Sequence, residues 1–129
     1  MRNEAREAAF RYLFAELFRE EGDDRLKERI CKTAKLGEED RAFFDRLVSL
    51  VENNRAELDA LFEERVSSVQ PYRVFPADHT ILLLALAEIK YCDDIPVRVS
   101  ASEAMALADK YSTDSSATFI NGVLSGVMK

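Results

Sequence analysis

The chain has 129 residues, 47% of them hydrophobic, and a formal net charge of −6. This length suits one compact domain with a real core, and four Gly and three Pro provide little material for the tight turns of an all-β protein. We therefore expect an all-α fold. The acidic balance argues against indiscriminate nucleic-acid binding, which needs basic surface, but it leaves room for a small basic site or a basic protein partner.

The first half of the chain has apolar residues at helical spacing. They recur every three or four positions over 5–18, "EEGDD" stops that run, and a shorter amphipathic stretch follows over 25–34. Gly37 suits the C-cap of this second helix. Residues 39–66 keep the same spacing, and the sequence leaves open whether "ENNR" separates two helices or is a polar turn of one.

The stretch "SSVQPYRVFPAD" is the clearest linker, because Pro71 and Pro76 each disfavour helix at the residue before them. We predict six or seven helices and no sheet, arranged as two small packed helical bundles. The predicted organisation is a single domain over 1–129, with an N-terminal helical subdomain (1–70), a linker (71–76) and a C-terminal helical subdomain (77–129).

Three further helices are expected after the linker. The charge of Asp78 favours the N-terminal end of an apolar helix that ends around Tyr91. The sequence "SASE" at 100–103 has the form of a capping box and predicts the start of the next helix. The segment "STDSS" supplies N-cap candidates for a last helix that begins near Ser115 or Ser116.

An enzyme needs titratable groups that converge in a pocket, and this chain has one His, no Gly-rich phosphate loop and no spaced ligand cluster. We expect His79 at the surface or at a helix cap, and Cys31 and Cys92 as reduced core thiols. No secretory signal is visible, and the apolar run "ILLLALA" is too short to span a bilayer. We expect a cytoplasmic protein that is not an enzyme and uses no cofactor or metal.

The C-terminal stretch "SSATFINGVLSGVMK" has two interpretations. As a helix face, its apolar residues form a core stripe with Ile120, Val123 and Leu124 inside. As a functional segment, it presents the ring of Phe119 for stacking on an unpaired RNA base.

The string "IPVRVSASEAMALADKYSTDSSATFINGVLSGV" resembles, in order and spacing, the C-terminal half of the NusB family of transcription antitermination factors. The opening "AREAAFRYLF" is similar to the start of that family, and "ADHTILLLALAEI" occupies the place of another of its helices. The resemblance touches both halves, whereas residues 20–70 match only in pattern.

This resemblance implies a non-catalytic factor that binds the boxA segment of nascent RNA together with NusE, a small-subunit ribosomal protein. It also implies an antitermination complex with RNA polymerase that supports ribosomal RNA synthesis. The RNA contacts that it implies are Arg2, Arg6, Phe14, Ser115 and Phe119. The contacts that it implies with the protein partner are Asp78, Leu82 and Glu88.

The chain also departs from the family pattern. Asn3, Glu4 and Thr118 stand where the family tends to be basic. We therefore expect weak RNA binding by the isolated chain, rescued when NusE adds its own positive surface. The alternative is a helical protein-interaction module with the same fold and little or no RNA binding. The sequence also leaves open a homodimer that hides the RNA site.

Overall fold

The computed structural model describes residues 2–18, 23–69 and 74–127 of the chain. Within these ranges all the regular structure is α-helical, which confirms the predicted all-α class. The open question about residues 39–66 is answered by a break at Asn54 that separates two helices. The described helices are α1 (Arg2–Glu16), α2 (Asp24–Thr33), α3 (Glu38–Asn53), α4 (Arg55–Val69), α5 (Pro76–Tyr91), α6 (Val97–Tyr111) and α7 (Ser116–Val127).

The helices form two compact units, an N-terminal unit (1–50) and a C-terminal unit (51–129). This division falls within α3. The sequence placed the boundary between subdomains at the linker 71–76 instead. Residues 71–73 of that linker lie outside the described ranges. Helix α4 packs on α5 and α7, and Phe62 of α4 stacks on His79 of α5. Side-chain packing therefore assigns α4 to the C-terminal unit.

In the N-terminal unit, the beginning of α2 is attached to α1. The backbone amide of Asp23 donates to the hydroxyl of Tyr12 at 3.1 Å, and the Asp23 carboxylate accepts from the amides of Arg25 and Leu26. The ring of Tyr12 also meets Phe44 of α3 edge to face, with 6.3 Å between centroids. An N-cap and a buried aromatic pair thus join all three helices of this unit.

Helix α2 ends in a Schellman motif. The amide of Lys35 donates to the carbonyl of Lys32, and the amide of Leu36 donates to that of Cys31. Lys35 has a left-handed φ of 56°, which these two hydrogen bonds compensate. The prediction of Gly37 as the C-cap is therefore wrong, because the turn closes before that residue.

Helix α5 lies at the centre of the C-terminal unit, where it packs on α4, α6 and α7. Its residues 80–88 are all buried, as is usual for a helix that is apolar on every side. Pro76 occupies its first turn, and Asp78 lies in that turn as predicted. The core stripe predicted for α7 is confirmed, because Ile120, Val123 and Leu124 are each at most 1% exposed.

Helix α6 begins earlier than the sequence predicted. Its N-cap is Pro96, whose carbonyl accepts hydrogen bonds from the amides of Val99 and Ser100. Ser100 is therefore inside the helix, where its hydroxyl donates to Glu88 of α5 at 3.0 Å. The predicted capping box is wrong because the helix begins at Val97, one turn before "SASE", with Pro96 as its N-cap. The predicted start of α7 at Ser116 is confirmed.

Candidate functional site

The two arginines predicted to hold RNA phosphates lie on α1 in different environments. Arg2 is exposed, and its guanidinium carbon lies 4.4 Å from the ring centroid of Phe43 on α3. Arg6 is only 4% exposed, with its guanidinium carbon 5.2 Å from the same centroid. Both guanidiniums pack on the same ring, but only Arg6 is buried, so little of its surface is left for a phosphate. The prediction of Arg6 as an RNA contact is therefore corrected to a packing role.

Phe14 belongs to a row of rings along α1. Its centroid is 5.7 Å from that of Phe10, with the rings nearly parallel, and 5.5 Å from that of Phe18, with the rings nearly perpendicular. Phe14 is half-buried, and Phe18 is 70% exposed. The N-terminal unit thus has two partly exposed rings near the end of α1, those of Phe14 and Phe18. Phe10 holds the ring of Phe14 in place by stacking on it.

In the C-terminal unit, the start of α7 borders a small depression, which we call the α7 depression. Ser115 is exposed and Phe119 is half-buried at its edge. Phe75, the residue before α5, is 52% exposed and lines the same depression. The full lining is Val74, Phe75, Asp78, Thr113, Ser115, Ser116 and Phe119. Two rings and several hydroxyls provide the stacking surface and short polar groups that unpaired bases require.

The depression is supported by a buried carboxylate. Asp78 is 3% exposed and accepts hydrogen bonds from the hydroxyls of Ser112 at 2.5 Å and Ser116 at 3.0 Å. The hydroxyls of Ser116 and Thr113 lie 2.7 Å apart, and the amide of Thr113 also donates to Ser116. A buried charge of this kind needs several donors, and the turn between α6 and α7 supplies them.

The three residues predicted to contact a protein partner are all interior. Asp78, Leu82 and Glu88 are 3%, 0% and 2% exposed. The physical reason is the central position of α5, which turns these side chains into the C-terminal unit, where serine hydroxyls satisfy the two carboxylates. The prediction of a partner-binding surface on these side chains is therefore corrected.

His79 is neither a free surface residue nor a cap. Its ring stacks on Phe62 with 4.2 Å between centroids, and its Nε2 lies 3.7 Å from Asp59 Oδ1, beyond hydrogen-bond distance. Burial lowers the pKa of His79 below its usual value, and the nearby Arg55 adds to this effect. Burial of the ring therefore disfavours its charged form.

The next candidate reactive groups are the two cysteines. Cys31 and Cys92 are both buried and reduced, and burial raises the pKa of Cys31. Among the described residues, no group of three or more His, Cys, Asp or Glu side chains is placed to hold a metal ion. In the same part of the chain, no helix combines the length and apolarity that crossing a membrane requires.

Sequence reasoning missed three residues of these surfaces. Phe18 continues the spacing of Phe10 and Phe14, so an i, i+4, i+8 pattern of rings was available as a signal. Phe75 was assigned to the linker, and its position beside α7 depends on tertiary packing. Ser112 carried no signal of its own, because its partner Asp78 is 34 positions away.

The fold and these surfaces define a class of protein: a small helical binding protein whose exposed rings and polar groups lie on open depressions. The chain belongs to the NusB family, whose family model matches residues 3–129. The transcription antitermination protein NusB of Agathobacter rectalis is 36% identical over 128 residues, covering 95% of both chains. That of Listeria monocytogenes is 36% identical over 126 residues, covering 98% of this chain and 94% of its own.

Solved structures agree with this assignment. NusB from T. maritima superimposes with a TM-score of 0.89 at 27% identity, covering 99% of this chain and 90% of that one. The NusB in the crystal structure of antitermination factors NusB and NusE in complex with dsRNA has a TM-score of 0.86 at 23% identity, covering 98% and 95%. At that identity, the second comparison shows the shared fold.

Proposed function

We propose that the protein is a transcription antitermination factor that binds boxA-type single-stranded RNA together with NusE and supports ribosomal RNA transcription. The observation that carries this proposal is the family match over residues 3–129, with relatives that are transcription antitermination proteins. The shared fold with the NusB of a complex that contains NusE and dsRNA supports NusE and RNA as the two classes of partner. The protein acts in the cytoplasm by binding alone, without catalysis or cofactor, in a complex with RNA polymerase.

The exposed residues suggest a division of roles. Arg2 contributes a phosphate contact, because its guanidinium is the exposed one of the two predicted arginines. Phe14 and Phe119 stack on bases, and Ser115 offers a hydroxyl to a base or ribose. Phe75, beside Phe119 in the α7 depression, adds a second ring to that stacking surface.

A protein-interaction module with little RNA affinity is the alternative function. The observation that favours it is the burial of Arg6, which adds to the non-basic Asn3, Glu4 and Thr118. Fewer exposed cations release fewer counterions and give weaker RNA binding.

Anisotropy measurements with labelled RNA separate the two functions. We expect the complex with NusE to bind boxA RNA more tightly than a scrambled RNA of equal length, and the isolated chain to bind both weakly. Binding of NusE together with equal, weak affinity for the two RNAs would instead establish the interaction module. Circular dichroism of each preparation controls for folding.

A further inference from the structure

Helix α2 and the turn after it concentrate positive charge in an otherwise acidic chain. Residues 25–35 contain Arg25, Lys27, Arg29, Lys32 and Lys35. Glu28 is the single acidic residue in that stretch, and Asp24 is the one other acidic residue of α2, although the chain as a whole has a net charge of −6. A local excess of cations in an acidic protein attracts a polyanion to that segment only.

Three of these cations share one face of the helix. Arg25, Arg29 and Lys32 are at positions i, i+4 and i+7, and all three are exposed. Lys35, which follows at the Schellman turn, is also exposed. We call these four residues the α2 basic face.

The carboxylate best placed to neutralise this face is already occupied. Glu28 is four residues before Lys32, a spacing that usually forms an ion pair. Instead, both of its oxygens accept from the guanidinium of Arg41 on α3, at 2.6 and 3.0 Å. This pairing keeps the pKa of Glu28 below its usual value. In the part of the chain that the structure describes, no ion pair involves the side chains of the α2 basic face.

The surface beside this face is concave. Arg29, Lys32 and Arg41 border a shallow depression that Glu28, Cys31 and Leu36 also line. The exposed positions of α2 itself are all polar or charged, without the large apolar side chains with which a helix enters a membrane surface. The chemistry therefore fits a hydrophilic polyanion rather than a lipid surface.

We propose that the α2 basic face binds the phosphates of single-stranded RNA that flanks boxA, without regard to base sequence. This inference rests on the proposed function, because α2 belongs to the same unit as Arg2 and Phe14. Arginine and lysine on a regular helix face neutralise a flexible phosphate backbone and release its counterions. The contact adds affinity and leaves the choice of sequence to the aromatic positions.

The test uses the full chain in complex with NusE and three labelled RNAs: boxA alone, boxA with flanking nucleotides on both sides, and a scrambled RNA of the longer length. Affinities are measured over a series of salt concentrations for the parent and for the double variant Arg29→Gln/Lys32→Gln. The matched control is Arg98→Gln/Lys110→Gln, which removes the same charge from exposed positions of α6.

We expect the α2 variant to bind flanked boxA RNA several-fold more weakly and to lower the salt slope by roughly 0.7 for each lost contact. Its affinity for boxA alone should equal that of the parent, and the α6 control should behave like the parent throughout. Equal losses in both double variants, or no loss on flanked RNA, would overturn the proposal. If the parent does not prefer boxA over the scrambled RNA, the proposed function fails. Binding to the scrambled RNA still tests the α2 basic face in that case. The salt slope measured with this RNA must then be lower for the α2 double variant than for the α6 control.

Discussion

Asp78 Oδ2 accepts a hydrogen bond from Ser116 Oγ at 3.0 Å, which joins the first turn of α5 to the first residue of α7. The other carboxylate oxygen accepts from Ser112, the C-cap residue of α6. One buried carboxylate thus connects three helices beside the depression that contains Ser115 and Phe119.

The first prediction concerns this connection. Asp78→Ala should lower the free energy of unfolding by about 1–3 kcal/mol, because it removes a buried acceptor from two hydroxyl donors. Urea unfolding followed by circular dichroism measures the loss. Asp109→Ala, which changes an exposed carboxylate on α6, should stay within about 0.5 kcal/mol of the parent. Equal stability of the two variants would mean that the hydrogen bonds around Asp78 contribute nothing net.

The second prediction separates stacking from packing on α7. Phe119→Ala should weaken boxA RNA binding by the NusE complex by about 1–3 kcal/mol without changing the salt slope, because a half-buried ring contributes stacking and not charge. Ile120→Ala should instead destabilise the fold by about 2–5 kcal/mol, because that side chain is fully buried.

Paired RNA titrations and urea unfolding curves on both variants test this separation. A normally folded Phe119→Ala variant that binds boxA RNA as tightly as the parent would show that "FINGVL" is only a helix face.

The third prediction compares the two arginines of α1. Arg2→Gln should lower the salt slope of RNA binding by roughly 0.7, the value for one lost phosphate contact to a single strand. Arg6→Gln should leave the slope unchanged and destabilise the fold by about 0.5–2 kcal/mol, because its side chain is buried against Phe43, whereas that of Arg2 is exposed. Salt titrations of both variants in the NusE complex make the comparison. The packing role of Arg6 would be wrong if Arg6→Gln lowers the salt slope of RNA binding and leaves the free energy of unfolding unchanged.

The fourth prediction concerns pH. Burial lowers the pKa of His79 in the folded state, so the unfolded chain binds more protons when the pH falls through the unperturbed value of about 6.5. Stability should therefore fall over that range, and His79→Phe, which keeps a ring for stacking on Phe62, should lose this component. Urea unfolding at pH 7.5 and 5.5 measures the difference between parent and variant. Identical pH dependence would show that His79 has the same pKa in both states.

From the sequence alone, the fold class, the break after the first helix and the buried stripe of α7 were predictable. Each depends on local periodicity, and Ile120, Val123 and Leu124 are buried as their spacing indicates. The resemblance near both ends also predicted RNA contacts, of which Arg2 and Ser115 are exposed and Phe14 and Phe119 half-exposed.

Only the tertiary structure decided the environment of the polar residues. Asp78 and Glu88 carry charged side chains of the kind expected at a surface, yet both are buried. Ser116 and Ser100, which are 38 and 12 positions away, supply the hydroxyl donors that make this burial possible. Arg6 is buried for a related reason, since its guanidinium packs on a ring of α3. Apolar spacing specifies which side of a helix is buried. Whether a charged side chain can join that side depends on partners that are distant in sequence, and their positions are set only when the helices pack.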